Sequence, residues 1–328
     1  MIGFYSTVSD LSIGSHRIWV NDLNEYFKEV GVDSKICSTP EELTEASVII
    51  VGKQSAHHVV PNLRRTFPRK IIGAINIPAT RDLLDIDFAV VGSVEEKVSL
   101  SSYKNVFLFP LIEKMFQNAE QKKHTLATPY RIGFHGHYPH LAKFESGLTR
   151  ALERLDKQHK IELVVVTTMG GFVWAHGRPK IENILIKEWD YKTIGETILT
   201  CDIGVVPNIT QVGFDLENHG VSKDTGLYDT DFILRMKSKS NAGRAFVFHQ
   251  HGIPVIGDLT PSNLHIMGDP ACGAIAMNEQ SWYRGLVRFM DPAERTRCSL
   301  AAKESFDKLY NPHDWAMRLY TKIQKLER

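Results

Sequence analysis

The sequence has no long apolar run, and its positive and negative charges almost cancel. No stretch of the 328-residue chain reaches 18 apolar residues, so no membrane-spanning helix is predicted. The first residues also lack the basic segment and long apolar segment of a signal peptide, which argues against secretion. The 39 Lys and Arg residues balance the 38 Asp and Glu residues, and such a composition gives no support to nucleic acid as a partner.

Cysteines are few, and no two of them form a C-x-x-C pair. The four are widely separated along the chain: Cys37, Cys201, Cys272 and Cys298. This spacing predicts reduced core thiols in a cytoplasmic protein and excludes a zinc site or a disulfide framework. A G-x-G-x-x-G motif is also missing, which counts against a dinucleotide-dependent dehydrogenase.

Short apolar runs alternate with amphipathic segments along the whole chain, which is typical of a parallel α/β protein. The length fits two domains of ordinary size. The predicted strands are Ile2–Tyr5, Ser34–Cys37, Ser47–Val51, Lys70–Ile75, Phe88–Val91, Asn105–Phe109, Tyr130–Phe134, Glu162–Thr167, Ile184–Lys187, Ile203–Val206, Pro254–Ile256 and Gly273–Met277. Because the alternation pauses in a polar segment and then restarts, we expect an N-terminal domain over residues 1–118, a linker over 119–129, a C-terminal domain over 130–310 and a final helix over 311–328.

Helix signals lie between these runs. Ser15 is expected to N-cap the first helix and Gly31 to end it. Six later helices are predicted over His57–Thr66, Leu141–Leu155, Tyr191–Thr200, Asn241–His251, Pro292–Leu309 and Asp314–Leu326, with another near Glu279–Met290. The polar stretch Asn208–Asp229 has no clear period, so it is interpreted as either a functional loop or a disordered segment.

Two open α/β domains predict a ligand cleft at the carboxyl edges of their sheets, so the loops that follow the strands are the places to search. The first such loop ends in Gly14-Ser15-His16-Arg17, where a glycine beside a helix start either lets backbone N–H groups approach an anion or sugar or simply forms a tight turn. The second, His135-Gly136-His137, has two histidines but no third ligand at zinc spacing. Hydrogen bonding in the cleft is favoured for it over metal binding, with ordinary loop histidines as the alternative.

The third loop is the most informative. Lys237–Arg244 is basic and rich in hydroxyl groups, and it leads into an apolar helix. A helix N-terminus offers free N–H groups and partial positive charge, to which Lys239 and Arg244 add full charges. We therefore favour a diphosphate site at Lys239, Ser240, Asn241 and Arg244, while a solvated run of charges is the alternative.

The segment from Ser240, "SNAGRAFVFHQHGIPVIGD", resembles the C-terminal domain of GT-B glycosyltransferases, in which a buried helix ending in Gly-x-Pro-Val lies beside the nucleotide-sugar. Three more segments are similar to that family in the right order: "SIGSHRIWVNDLNEYFKEVG", "RIGFHGHYPHL" and "YKTIGETILTCDIGVVPN". The resemblance implies two Rossmann-like domains that face a central cleft, with the C-terminal helix crossing back to the N-domain.

For function, the resemblance implies transfer of a sugar from a nucleoside-diphosphate sugar to a hydroxyl acceptor, in glycan or surface polysaccharide synthesis, without a metal or other cofactor. Gly136, Lys239, Ser240, Asn241 and Arg244 would bind the donor diphosphate. The loop Gly14, Ser15, His16 and Arg17 would present a glycan or lipid-linked acceptor. Two alternatives are kept: a nucleotide-sugar epimerase of the same fold, and a two-domain ligand-binding protein without catalysis.

One departure from the family leaves the stereochemistry open. Many retaining members have two glutamates eight positions apart before Gly-x-Pro, and Lys239 and Val247 occupy those positions here. We expect Lys239 to contact a phosphate, where a glutamate would have contacted the sugar.

The remaining candidates carry less weight. Two D-x-D matches, Asp85-Ile86-Asp87 and Asp229-Thr230-Asp231, are discounted as metal sites because one leads into an apolar strand and the other flanks a predicted helix start. His58, beside His57 at a helix start, is the candidate acceptor-side base. The cluster Arg64, Arg65, Arg69 and Lys70 predicts either weak peripheral contact with an anionic inner membrane or an ordinary solvated helix end.

Overall fold

The computed structural model describes residues 1–52, 56–77, 84–208, 230–231, 236–237 and 241–326, and these form two compact units. The first unit contains Met1–Lys114 and the chain from Tyr310 onward, and the second begins at Met115 and ends at Leu309. Each unit is built on a six-stranded, wholly parallel sheet. The predicted pair of Rossmann-like α/β domains is confirmed.

The first unit has its sheet in the order β2-β1-β3-β4-β5-β6. The strands are β1 (Ile2–Tyr5), β2 (Ser34–Cys37), β3 (Val48–Val51), β4 (Ile71–Ile75), β5 (Phe88–Val91) and β6 (Val106–Leu108). The helices are α1 (Gly14–His16), α2 (Leu23–Glu29), α3 (Ala56–Thr66) and α4 (Val94–Ser99), and a π-helical segment, Arg17–Asp22, joins α1 to α2. The central strands are apolar at every position because helices cover both faces of a parallel sheet.

The second unit has its sheet in the order β14-β13-β10-β7-β8-β9. The strands are β7 (Tyr130–His135), β8 (Ile161–Thr167), β9 (Ile184–Glu188), β10 (Ile203–Val206), β13 (Val255–Asp258) and β14 (Ala274–Ala276), with a separate antiparallel pair β11 (Thr230–Asp231) and β12 (Met236–Lys237). The helices are α5 (Leu148–Asp156), α6 (Ile194–Leu199), α7 (Gly243–Gln250), α8 (Pro261–Met267), α9 (Glu279–Arg288) and α10 (Pro292–Leu309).

The last helix, α11 (Pro312–Gln324), completes the first unit although it ends the chain. Asn311 caps it by accepting from the backbone N–H groups of its first turn. Its inner face buries Ala316, Leu319 and Ile323 in the apolar core that also contains Phe27 of α2. The first unit therefore closes its core with residues from both ends of the sequence.

The segment predicted as a linker lies along the second unit and is held there by hydrogen bonds. The Lys122 N–H donates to the His251 carbonyl at 2.8 Å, and Gln121 Nε2 donates to the Gln250 carbonyl at 2.8 Å. Arg295, which is fully buried, donates from Nη2 to the Thr125 carbonyl at 2.8 Å. This segment is thus part of the second unit's surface.

Two glycines let α7 approach the sheet of the second unit closely. Gly133 of β7 and Gly204 of β10 are paired across the two strands. A Cβ at Gly204 would lie 2.3 Å from the Phe248 ring, and a Cβ at Gly133 would lie 2.6 Å from Cys201 Sγ and 3.2 Å from the same ring. Because these two glycines have no side chains, Phe248 packs directly on the sheet and fixes the position of α7.

Several local predictions were wrong. Ser15 is inside the first helix: the cap is Ile13, whose carbonyl accepts from the His16 and Arg17 N–H groups. The predicted helix Leu141–Leu155 is divided at Gly147, where φ is 129°, into a 3-10 segment and α5. The helix end predicted at Gly31, with φ of 79°, is confirmed.

Candidate functional site

The strand order of the second sheet creates a switch point between β7 and β10. From β7 the chain builds the sheet outward through β8 and β9, and from β10 it builds in the other direction through β13 and β14. Ligands of open parallel sheets bind outside the carboxyl ends of the two strands at such a point. Here those ends are followed by Gly136 after β7 and by Pro207 and Asn208 after β10.

Arg244, on the first turn of α7, lies across this switch point. Its Nη2 donates to the Pro207 carbonyl at 3.0 Å and also to Asn208 Oδ1. Its guanidinium lies 5.4 Å from the centre of the Phe134 ring. Burial lowers the pKa of Arg244 to about 10, which leaves the side chain charged at neutral pH. The predicted donor-site arginine is thus a fixed cation at the carboxyl edge.

Two buried donors at this point have no acceptor among the described residues. One is Nη1 of Arg244, and the other is Nδ2 of Asn208, a residue that is 5% exposed. A buried donor left without an acceptor costs about 1–3 kcal/mol. Because both are donors and one is charged, an anion is the ligand that would satisfy them.

Asn208 is a site residue that the sequence analysis did not select. The only signal for it was its place directly after the quoted strand "DIGVVPN". Its backbone N–H donates to the carboxylate of Asp258, at the end of β13, at 2.5 Å. This contact joins the ends of β10 and β13 and orients the Asn208 side chain toward Arg244.

Gly136 has a φ of 141°, and a Cβ there would lie 3.1 Å from Cδ of Arg244. Residues with side chains rarely adopt such a φ. Glycine was predicted here because a ligand would approach the backbone, whereas the group that approaches it is the side chain of Arg244. Gly136 thus contributes to the site by making room for the arginine.

The other predicted donor residues have different outcomes. Asn241 Oδ1 accepts from the Gly243 N–H at 3.1 Å, so this oxygen serves the turn that begins α7. Lys239 and Ser240 lie outside the described residues, as do positions 209–229 of the predicted functional loop.

The two loop histidines are not arranged as metal ligands. His135 Nε2 donates to the Arg244 carbonyl at 3.0 Å, and burial lowers its pKa to about 4. The His137 ring packs against Tyr138 at 4.8 Å. Within the described ranges, no group of three or more His, Cys, Asp or Glu residues could hold a metal ion. In the same ranges, no helix is long and apolar enough to cross a membrane.

In the first unit, the switch point lies between β1 and β3, and the predicted acceptor loop begins at the end of β1. Ser6 Oγ and His16 Nδ1 are 3.1 Å apart, and both side chains are buried. Burial also lowers the pKa of His16, which favours the neutral ring. Gly14 is the first residue of α1.

Arg17, predicted to face a ligand, binds protein groups through both terminal nitrogens. Nη1 donates to the Leu11 carbonyl at 2.8 Å, and Nη2 forms an ion pair with Glu113 at 2.6 Å. The pair is almost fully buried, so removing either partner would leave an uncompensated charge. The role that the structure gives to Arg17 is to fasten the loop after β1.

Asp22, in the π-helical segment, is a buried carboxylate whose pKa is raised to about 6 by burial. It accepts from the Lys114 N–H at 3.1 Å. Replacing Asp22 with Asn should keep this bond and raise the free energy of unfolding at pH 8 by up to about 3 kcal/mol, since each pKa unit corresponds to about 1.4 kcal/mol.

The pH dependence of this gain follows from the direction of the shift. Below the ordinary pKa of 3.8 the carboxyl is protonated in the folded and unfolded states, and Asp22→Asn should then change stability little. The gain should grow as the pH rises from about 4 and be nearly complete just above pH 6, since the carboxyl ionises first in the unfolded state. Urea unfolding of both proteins from pH 4 to pH 8 measures it, and equal stabilities at pH 8 would contradict the assignment.

The remaining candidates lie on α3 and near β5. His58 is exposed on the first turn of α3. Asp87 accepts from the Ile72 N–H at 2.7 Å and pairs with Arg64 at 2.8 Å, so this D-x-D match serves the sheet. In the predicted membrane cluster, Arg64 is thereby neutralised, and Lys70 Nζ donates to the Leu43 and Thr44 carbonyls.

The fold can be compared with known proteins. No family model matches the chain, and no curated sequence matches it significantly. Among solved structures, sucrose-phosphate synthase from Thermosynechococcus elongatus is similar, with 14% identity and a TM-score of 0.65 over 99% of this chain and 98% of that one. Anabaena Alr3699/HepE in complex with UDP and glucose has 7% identity and a TM-score of 0.65 over 98% and 99% of the two chains. An alpha-glucosyltransferase (AGT) in complex with UDP has 9% identity and a TM-score of 0.62 over the same shares. The chain thus has the GT-B fold that the resemblance implied.

Proposed function

We propose that this protein transfers a sugar from a nucleoside-diphosphate sugar to a hydroxyl group of an acceptor. The observation that carries the proposal is the pair of buried donors without acceptors, Arg244 Nη1 and Asn208 Nδ2, at the switch point of the second sheet. Two proteins of similar fold are described as complexes with UDP, one of them also with glucose. A nucleoside diphosphate would supply the anion that these donors require.

Arg244 has a specific part in the proposed reaction. As the bond between the sugar and the diphosphate breaks, negative charge grows on the leaving oxygen. A cation that is already fixed in place stabilises this charge without reorganising. Asn208, Pro207 and Phe134 hold the guanidinium in position, so it is already ordered before the substrate binds. Lys239 and Ser240 are proposed to add contacts to the same diphosphate.

Other parts of the proposal rest on the resemblance. The acceptor is proposed to be a glycan or a lipid-linked glycan, and the reaction is placed in surface polysaccharide synthesis in the cytoplasm. His58 stays the predicted acceptor-side base. The reaction is proposed to need no metal, because Asp87 of one D-x-D match is bound to Arg64 and a backbone N–H.

A thermal-shift screen tests the donor assignment. UDP, GDP, ADP and CMP are each added to the protein, with and without EDTA. Ligand bound to the native state raises stability by RT ln(1 + [L]/Kd), about 2.7 kcal/mol at 100 Kd. We expect one nucleoside diphosphate to raise the melting temperature, and we expect EDTA to leave that rise unchanged.

The contrary outcomes are distinct. No shift with any nucleotide would contradict the donor site. A shift that EDTA abolishes and Mn²⁺ restores would contradict metal independence alone. A nucleotide that binds while its sugar conjugate is neither cleaved nor epimerised, as followed by chromatography with candidate acceptors, would favour the non-catalytic alternative.

A further inference from the structure

Two helices of the first unit, α4 and α11, pack beside the edge strand β6 and place basic side chains around it. Lys322 of α11 lies with Nζ 5.8 Å from the centre of the Phe107 ring on β6. Arg318, one turn earlier, lies over the Trp315 ring at 5.2 Å. We call Lys97, Arg318, Lys322 and Lys325 the α4–α11 patch, and all four side chains are exposed.

Among the described residues, the four cations of this patch form no ion pair, although Asp314 stands one helical turn before Arg318 on α11. Besides partial burial, the charges that lower the pKa of Lys322 are Lys97, Arg318 and Lys325, all of the same sign. From residue 315 to residue 326 the chain has no Asp or Glu. The acids of α4, Glu95 and Glu96, are buried on its inner side, where Glu96 accepts from the Gly92 N–H. Like charges held together in this way attract an anionic surface.

The patch also has an apolar part. On α4, Val94, Lys97 and Val98 have i, i+3 and i+4 spacing and therefore share one face. Val94 is 44% exposed and Val98 is 67% exposed. Cations alternating with exposed aliphatic side chains are typical of surfaces that lie in the interface of a membrane, where the cations meet headgroups and the apolar groups enter the acyl boundary.

The basic cluster on α3 differs from the α4–α11 patch in the partners of its cations. Arg64 there is paired with Asp85 and Asp87, and the Lys70 ammonium donates to two backbone carbonyls. Only Arg65 and Arg69 of that cluster are exposed. In the α3 cluster, Arg64 is thus paired with acids and Lys70 is held against the protein, whereas the cations of the α4–α11 patch have no ion-pair partner among the described residues.

We propose that the α4–α11 patch docks the first unit onto an anionic lipid surface. Each basic residue close to such a surface contributes about fivefold to partitioning, so four give weak, reversible attachment. The exposed valines favour lipid over nucleic acid, because proteins that bind single strands stack the bases on aromatic side chains in a basic groove. The attachment should weaken as ionic strength rises, because the charges are exposed.

Co-sedimentation with vesicles tests the proposal with the full chain. Phosphatidylcholine vesicles are compared with vesicles that also contain phosphatidylserine, at low and high salt. We expect Lys97→Gln with Lys322→Gln to lower partitioning about 25-fold. The matched control, Arg65→Gln with Arg69→Gln, removes the same charge from α3 and should stay close to the wild type. Val98→Ser should lower partitioning without changing its salt dependence.

Any of three results would overturn the proposal: no sedimentation of the wild type with anionic vesicles, equal losses in the two double variants, or equal binding to vesicles without phosphatidylserine. Retention on single-stranded RNA without vesicle binding would assign the patch to nucleic acid instead. All substituted residues are exposed, and unchanged melting temperatures would show that the variants fold. The readout needs no sugar transfer, so its outcome is separate from that of the nucleotide screen.

Discussion

Replacing Arg244 with methionine is expected to lower kcat/KM for the nucleoside-diphosphate sugar by about 10³-fold. Loss of a charge-assisted hydrogen bond weakens diphosphate binding by about 1.5–3 kcal/mol. Removing a fixed donor that stabilises developing charge lowers kcat by about 10²- to 10³-fold. Methionine matches the aliphatic stem of arginine, so the packing of that stem against Gly136 is largely retained.

Three further variants make this test specific. Arg154→Met removes a half-buried arginine that lies over the Tyr283 ring in the same unit, and it should leave kcat/KM unchanged. Arg244→Lys retains the charge but cannot donate in a fork, and it should restore only part of the activity. Asn208→Leu removes the second donor and should weaken nucleotide binding. Unchanged nucleotide affinity in both Arg244→Met and Asn208→Leu would refute the site.

Mild acid is expected to unfold the second unit, and His249 on α7 is expected to be the largest single cause. Its ring is fully buried, and neither nitrogen has a hydrogen-bond partner in the described part of the chain. Burial lowers its pKa from 6.5 to about 3. The unfolded chain therefore binds a proton on this ring between these values and the folded chain does not, so stability is lost as the pH falls.

The size of this loss is large compared with the stability of a typical domain. A shift of about 3.5 pKa units corresponds to about 5 kcal/mol, and native domains have about 5–15 kcal/mol in total. His135, whose pKa is lowered from 6.5 to about 4, adds about 3 kcal/mol in the same direction. The stability that depends on these two neutral rings is therefore fully present above pH 6.5, and it declines as the pH falls below that value.

His249→Leu should raise the free energy of unfolding at pH 7 by about 1–3 kcal/mol, because no buried donor or acceptor is then left unsatisfied. It should also remove about half of the loss between pH 7 and pH 4.5. Urea unfolding at the two pH values measures both effects, and amide hydrogen exchange in α7 assigns them to the second unit. His159→Leu, at an exposed histidine, is the control. The same pH dependence in His249→Leu and the wild type would contradict this account.

Much of the fold was predictable because a parallel sheet is buried on both faces. Strands such as β1 and β5 are continuous apolar runs, and their predicted bounds agree with the structure. The short helices α4 and α8 were missed, although Ser93 and Thr260 cap them with their side chains. Helices of six or seven residues bury too few side chains to establish a period.

The candidate site was predictable only in part. Arg244 carried a local signal, since it stands at the start of an apolar helix. Asn208 had only its place directly after a predicted strand, because its position beside Arg244 depends on the pairing of β10 with β7 and on α7 packing against both. Such contacts join residues that are 36 positions apart in the sequence. Local patterns of apolar and polar residues contain no information about them.

The place of α11 in the first unit has a consequence for the order in which the chain folds during synthesis. The first unit's core needs Ala316, Leu319 and Ile323, yet 195 residues lie between Lys114 and Tyr310. At about 5–20 residues per second, the ribosome needs roughly 10–40 s to make them. The second unit is complete before α11 emerges, so the part of the protein that is made first is finished last. During that interval the apolar side of Phe27 that α11 later covers is open to chaperones.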